Sequence, residues 1–210
     1  MQSKSHFFLL ILGILSLVFV WSAISPAHRP TWWLEVFPVL LALPILLFTY
    51  KHLEFTQLAY LLMLVHAIIL LIGGHYTYAE VPLFSWLRDT FDLARNYYDR
   101  VGHFAQGFIP AIIAREILLK KSPLTKGAWL FFIVCCICLS ISVVYEFLEW
   151  WVAVYSGEAA DKFLGTQGDV WDTQWDMFIA LIGAISAQLL LSKVHDRQMM
   201  QMQGRPQDRH

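Results

Sequence analysis

Six apolar runs, each about long enough to cross a bilayer as a helix, constrain this chain more than any other feature. They cover roughly residues 7–24, 33–50, 56–74, 101–119, 128–150 and 174–192. A hydrocarbon core of about 30 Å takes about 20 mostly apolar residues in helical form. Backbone groups left unpaired in lipid cost several kcal/mol each, so an extended or irregular crossing is excluded. The expected fold is therefore all-α, a polytopic membrane helix bundle of about six transmembrane helices. Composition agrees, with 58% hydrophobic and 15% charged residues against about 45–50% and about 25% in soluble domains.

The first run follows Lys4 and precedes the small residues Ala23 and Ala27, as a signal peptide would. Its apolar stretch from about Phe7 to Ile24 exceeds the roughly 7–15 residues of a signal core, so it reads as a retained first span. Pro38 and Pro44 in the second run remove backbone donors and predict a kink. Residues 1–195 form one transmembrane helical domain, and residues 196–210 a polar, frayed cytoplasmic tail.

The distribution of cations sets the expected orientation. With the N-terminus inside, nine lysines and arginines fall on the inner side: Lys4, Lys51, Lys120, Lys121, Lys126, Lys193, Arg197, Arg205 and Arg209. Five fall outside, namely Arg29, Arg88, Arg95, Arg100 and Lys162. Both termini are thus expected in the cytoplasm. Trp21, Trp32, Trp33, Trp150, Trp151, Trp171 and Trp175 then mark the outer interface, with Trp129 at an inner end. Two longer connections, residues 75–100 and 151–173, lie outside. The first predicts an amphipathic helix over about Leu83 to Tyr98, from the spacing of Leu83, Leu87, Phe91 and Ala94. Such a helix lies in the interface or lids the bundle. Gly157, Gly165 and Gly168 mark turns in the second.

A net charge of −1 gives no basis for a nucleic-acid partner; the partners implied are the bilayer and a lipid substrate. Cys135, Cys136 and Cys138 sit within one apolar run and behave as small hydrophobes rather than as a metal cluster. No nucleotide loop, nucleophile elbow or haem signature is present.

The chemistry gathers at the outer ends of the spans. "YEFLEWW" (145–151) puts Glu146 and Glu149 three residues apart on one helix face. "GDVWDTQWDM" brings Asp169, Asp172 and Asp176 to the start of the sixth span. "DRVGHFAQG" opens the fourth, with Asp99 and His103 one turn apart, Gln106 continuing their face, and Gly102 and Gly107 permitting close helix approach. His75 ends the third, followed by Tyr76 and Tyr78. Ionisable groups at membrane depth are costly and point by default to function. Carboxylates from several helices with histidines at i+4 resemble bundle-embedded metal sites, and such donors suit Mg, Mn, Zn or Fe. The reading assigns Glu146, Glu149 and Asp176 to catalysis, and His75, Asp99, His103, Asp169 and Asp172 to a divalent metal ion as cofactor.

Structural readings stand beside it. Asp169 and Asp172 fit helix caps, and Asp99 and Arg100 fit interface charges. Glu146 can pair with Arg100 or His103. His66 fits a helix–helix hydrogen bond, and Arg115 and Glu116 fit snorkelling or a pair near the inner end.

The motifs "GGHYTYAEVP" (73–82), "DRVGHFAQGF" (99–108), "ARE" (114–116), "YEFLEWW" (145–151) and "LGTQGDVWDTQWDM" (164–177) together resemble the YjdF-like family of bacterial inner-membrane proteins, over roughly residues 50–195. The resemblance implies a multi-pass inner-membrane location and assigns no catalytic residue. Three functional classes follow from the residues. The first is a metal-assisted enzyme at the outer leaflet acting on a lipid or lipid-linked substrate. The second is a transporter or channel, for which His66 is the midplane candidate, and the third a non-catalytic accessory protein.

Overall fold

The computed structural model describes residues 2–156 and 166–203. Seven α-helices account for nearly all of them: α1 (Gln2–Ala23), α2 (Arg29–Thr49), α3 (Gln57–Tyr76), α4 (Pro82–Phe91), α5 (Tyr98–Lys121), α6 (Ala128–Ser156) and α7 (Asp172–Gln203). A 3₁₀ turn, Tyr78–Glu80, links α3 to α4. All six expected spans are helices, and the described residues contain no strand. The turns expected at Gly157 and Gly165, and Lys162 beside them, lie outside the described residues.

Five helices are long and apolar enough to cross a membrane by themselves: α1, α2, α3, α6 and α7. The sixth, α5, is too rich in ionisable groups to qualify on composition, yet its 24 residues reach about 36 Å at 1.5 Å per residue. Its position explains its polarity. α5 packs against α7, α6 and α3, and four of its six charged residues, Asp99, Arg100, Arg115 and Glu116, are buried. The lipid-facing surface belongs to its neighbours, as exposed side chains such as Val65 on α3, Val144 on α6 and Leu189 on α7 show.

Glycine decides how close α5 and α7 come. A Cβ on Gly107 would stand 1.7 Å from the Ala180 carbonyl oxygen, and one on Gly183 would stand 2.3 Å from that of Phe104. Gly102 serves differently: it and Gly73 seat the ring of Tyr78 between α3 and α5. α1, α2 and α3 form a second group around Trp32, Val36 and Leu71. There the Trp32 indole donates to Ser22 Oγ (2.9 Å), and Ser22 donates to the Leu71 carbonyl (2.6 Å). Tyr98 donates to the Ile69 carbonyl (2.8 Å) and ties this group to α5.

Three expectations need correction. The amphipathic helix ends at Phe91 rather than near Tyr98, because Asp92 turns left-handed (φ 52°) and its N–H caps the Arg88 carbonyl. The segment expected to fray continues α7 as far as Gln203, held by buried His195 and Met199. The helix–helix hydrogen bond expected of His66 is not found among the described residues. α2 runs through Pro38 and Pro44 as one helix.

Candidate functional site

Alternating helix direction gathers two polar clusters, one at each end of the bundle. At the end where α3 and α6 finish and α5 and α7 begin, the loop leading into α5 is tied down first. Asn96, fully buried, donates to the Val81 carbonyl (3.1 Å) and Ser85 Oγ (3.0 Å). Gln167 exchanges two hydrogen bonds with the Asn96 backbone (2.8 and 3.0 Å). This brace sets Arg95 over the start of α7.

Arg95 and Arg100 then organise the aspartates. Both guanidinium groups pair with Asp172, Arg100 also with Asp176, and Arg95 with Asp99 at 3.3 Å. Asp169 lies 3.2 Å from Arg100 and 3.7 Å from Arg95, while its other oxygen accepts from the Trp171 N–H (2.9 Å). Asp169 therefore combines the cap and the ion pair. Asp172 and Asp176 share one face of α7, as their spacing required.

His103 stands one turn below. Its Nδ1 faces Gln106 Oε1 at 3.1 Å; an amide oxygen only accepts, so Nδ1 carries the proton. Nε2 points between Asp99 Oδ1 (3.5 Å) and Asp176 Oδ1 (3.6 Å). One ligand atom from each of Asp99, His103 and Asp176 lies within 4.8 Å of the others, and all three residues are buried. Bonds of about 2.1 Å in a tetrahedral zinc-type site put ligand atoms about 3.4 Å apart, close to the two separations from His103 Nε2. Arg100 takes part of the capacity of the Asp176 carboxylate. Glu146 lies beside this group, with Oε1 3.8 Å from His103 Nδ1. That oxygen is buried and has no hydrogen-bond partner among the described residues.

Two of the eight candidates stand apart from this arrangement. His75 hydrogen-bonds the Ser22 carbonyl (3.1 Å) and stacks on Trp21 at 4.4 Å, which fastens α1 to α3. Glu149 is half-buried and within electrostatic reach of Glu146, Asp99 and Glu35, but it is not one of the three ligand positions.

One buried acid beside this cluster escaped the sequence reading. Glu35, in the middle of an apolar run on α2, is 4% exposed and accepts from the Tyr145 hydroxyl at 3.2 Å. Tyr78 adds a second phenol beside it. Burial keeps the Tyr78 phenol well above its ordinary value near 10.0, so it remains a donor. The Tyr145 ring stands edge-on to His103 at 6.3 Å, which places Glu35 at the rim of the same cluster. The cost of an acid within "WWLEVFP" was the available signal.

The opposite end holds a network around Glu116, which is fully buried. Its oxygens accept from the Thr56 N–H and hydroxyl (both 2.8 Å), Lys120 Nζ (2.6 Å) and His195 Nε2 (2.9 Å). Arg115 donates to His195 Nδ1 (2.9 Å) and pairs with Asp196 (2.8 Å). Since a guanidinium can only donate, His195 Nδ1 accepts and Nε2 carries the hydrogen toward Glu116. Arg115 and Glu116 thus pair rather than snorkel.

Fold and clusters together define a polytopic helical membrane protein with an ionisable site sealed between helix ends. Residues 7–197 match the family described as "Predicted membrane protein (DUF2238)", and the chain belongs to that family. It is 46% identical over 185 residues to the inner membrane protein YjdF of Escherichia coli (strain K12), covering 88% of each chain. No solved structure matches it.

Proposed function

We propose that this protein is a membrane-embedded, metal-assisted enzyme whose site lies at the periplasmic end of the bundle, with both termini cytoplasmic. The observation that carries the reading is the convergence of His103 Nε2, Asp99 and Asp176 beside a buried Glu146 oxygen that no donor among the described residues meets. Buried acceptors are ordinarily satisfied, so an orphan aimed at a ligand-like group of donors marks a place where something binds.

One imidazole and two carboxylates suit a hard or borderline divalent ion, which when bound supplies Lewis acidity. The chain's own residues supply the rest. Gln106 holds the Nδ1 proton of His103 and so aims Nε2 at the aspartates, as outer-shell partners of ligand histidines do. Arg95 and Arg100 hold Asp172, Asp176 and Asp99 in register. Glu146 Oε1 is placed to take a proton from a group entering beside His103. The site's depth near the helix ends favours a substrate that reaches it from the bilayer, a lipid or lipid-linked molecule.

Metal content decides the matter. Protein purified without chelator should carry close to one equivalent of Mn, Zn or Fe by elemental analysis. His103→Ala should weaken metal affinity at least tenfold, by the scale seen for ligand-shell changes. Glu146→Gln should retain the metal and leave the melting temperature unchanged or raised, since catalytic carboxylates are held at a stability cost.

The second reading, a non-catalytic polar clamp, draws on the same His103 contacts, because a protonated imidazole between Asp99 and Asp176 would be satisfied without an ion. It predicts no bound metal and a large loss of stability in Glu146→Gln.

A further inference from the structure

We propose that one water molecule is bound inside the bundle between Ser142 and Glu146, beside His103, and that Ser142 is the residue that positions it. The binding stands on packing and unmet polar atoms; its consequence for Glu146 rests on the reading above.

Ser142 is fully buried within α6, and its hydroxyl meets no hydrogen-bond partner among the described residues. A serine or threonine in a helix has an outlet close by, the carbonyl four residues back. Thr49 and Ser140 use it, at 2.7 and 2.8 Å. Ser142 does not. Leaving a buried hydroxyl unmet costs free energy, so one that forgoes the carbonyl beside it points to another partner.

A second unmet atom lies one turn away. Glu146 follows Ser142 by four residues, so the two share a face of α6, with Cβ atoms about 5–6 Å apart. Long side chains on a helix lean back toward its N-terminus, which carries the Glu146 carboxylate over Ser142. Its Oε1 is buried and likewise unmet among the described residues. α5 packs against α6, and His103 Nδ1 stands 3.8 Å from that oxygen. Because α5 runs opposite to α6, Gln106, one turn after His103, falls at the depth of Ser142. Gln106 Oε1 takes the Nδ1 proton at 3.1 Å, which leaves the amide nitrogen and its two donors for the same space.

These groups select water. A buried water makes about three hydrogen bonds: here it donates to Glu146 Oε1 and Ser142 Oγ and accepts from the Gln106 amide. An anion is repelled by Glu146, and a hard cation needs more oxygens than this space offers. Ala111 and Cys138, fully buried members of the apolar core, close the space about one turn further in. The close contact of Gly107 with Ala180 seals it toward α7. One water is held, not a file of them. With Glu146 as the base, the acting group is a carboxylate and its water, and Ser142 sets their orientation.

The test begins with an experimental structure of the full-length protein in nanodiscs, at a resolution that shows ordered water. A single density about 2.5–3.0 Å from both Ser142 Oγ and Glu146 Oε1 is expected. No density between them, or Ser142 bonded to the Cys138 carbonyl, overturns the proposal, and this arm needs no variant to fold. Ser142→Ala gives an independent sign. Deleting a merely unmet hydroxyl raises the melting temperature, whereas deleting one that holds a water lowers it; a fall of about 2–4 °C is expected. An unchanged or raised midpoint sinks the idea. Infrared spectra of hydrated films supply a signature that a packing role would not move. The wild type should show a sharp water O–H band that shifts in heavy-oxygen water, and Ser142→Ala should lack it; a band kept by the variant refutes the positioning role. Ser142→Ala should also keep the metal content of the wild type. Metal without this water removes this inference alone, and the water without metal removes only the metal reading.

Discussion

Glu116 and Glu146 are both buried acids among helix ends, and they are held in opposite ways. Glu116 has four donors on its two oxygens, so its charge is fully compensated. Glu146 leaves one oxygen unmet among the described residues. Removing one partner of a buried, compensated group leaves the others unpaired, typically at about 3–5 kcal/mol. Glu116→Ala is therefore expected to lower unfolding stability by that amount, read by chemical or thermal denaturation in mild detergent, while Glu146→Gln shifts the same measurement by less than about 1 kcal/mol. Neither role could be read from the neighbours in the chain. "YEFLEWW" flagged Glu146 correctly as an oddity, yet the donors to Glu116 come from as far as 79 residues away. Glu35 was missed because a single acid in a run of apolar residues has no spacing to read, and its partner Tyr145 is 110 residues further on.

At the level of elements, the crossing of α5 and α7 rests on two glycines that no side chain can replace without moving backbone. Gly107→Ala puts a methyl 1.7 Å from the Ala180 carbonyl oxygen, and overpacking of this kind costs about 1–3 kcal/mol. A methyl at Gly13 on α1 would meet nothing within 4 Å, so Gly13→Ala should be neutral or gain up to about 1 kcal/mol in helix propensity. Comparing the two melting curves separates close packing from propensity. α4 gives a second case. Its apolar spacing does continue past Phe91, which is why the sequence predicts a longer helix, but Asp92 adopts a left-handed conformation and the chain turns to deliver Arg95 and Asn96. Asp92→Gly should preserve this turn, whereas Asp92→Val should cost about 1–2 kcal/mol, measurable as a lower melting midpoint.

For the whole molecule, the described ends of the chain lie together. Lys4 pairs with Glu54 (2.8 Å), Lys120 donates to the Glu54 carbonyl (2.6 Å), and Gln198 accepts from the Leu58 N–H (2.9 Å). This places the start of α1, the α2–α3 connection and the ends of α5 and α7 at one end of the bundle. Reporter fusions at the two termini should therefore report the same compartment, and the cation bias predicts that this compartment is the cytoplasm. Fusions reporting a periplasmic location at both termini would invert the orientation and move the His103 cluster to the cytoplasmic side.

The membrane class, the count of long helices and their alternating direction were all legible in the sequence, because lipid forces every apolar run of sufficient length into a helix and leaves few alternatives. The i, i+4 relations within a helix, Asp99 with His103 and Asp172 with Asp176, were legible for the same local reason. Which helix ends face one another is a different kind of fact. His75, Asp99 and Asp176 all sit at one depth by the sequence, yet His75 turns to Ser22 and Trp21 while Asp99 and Asp176 turn to His103. Rotation of each helix about its axis, and the choice of its neighbours, comes from glycine contacts and from pairs such as Arg100–Asp172, 72 residues apart. Those long-range contacts exist only in the packed bundle, so tertiary structure alone decided which polar groups came together.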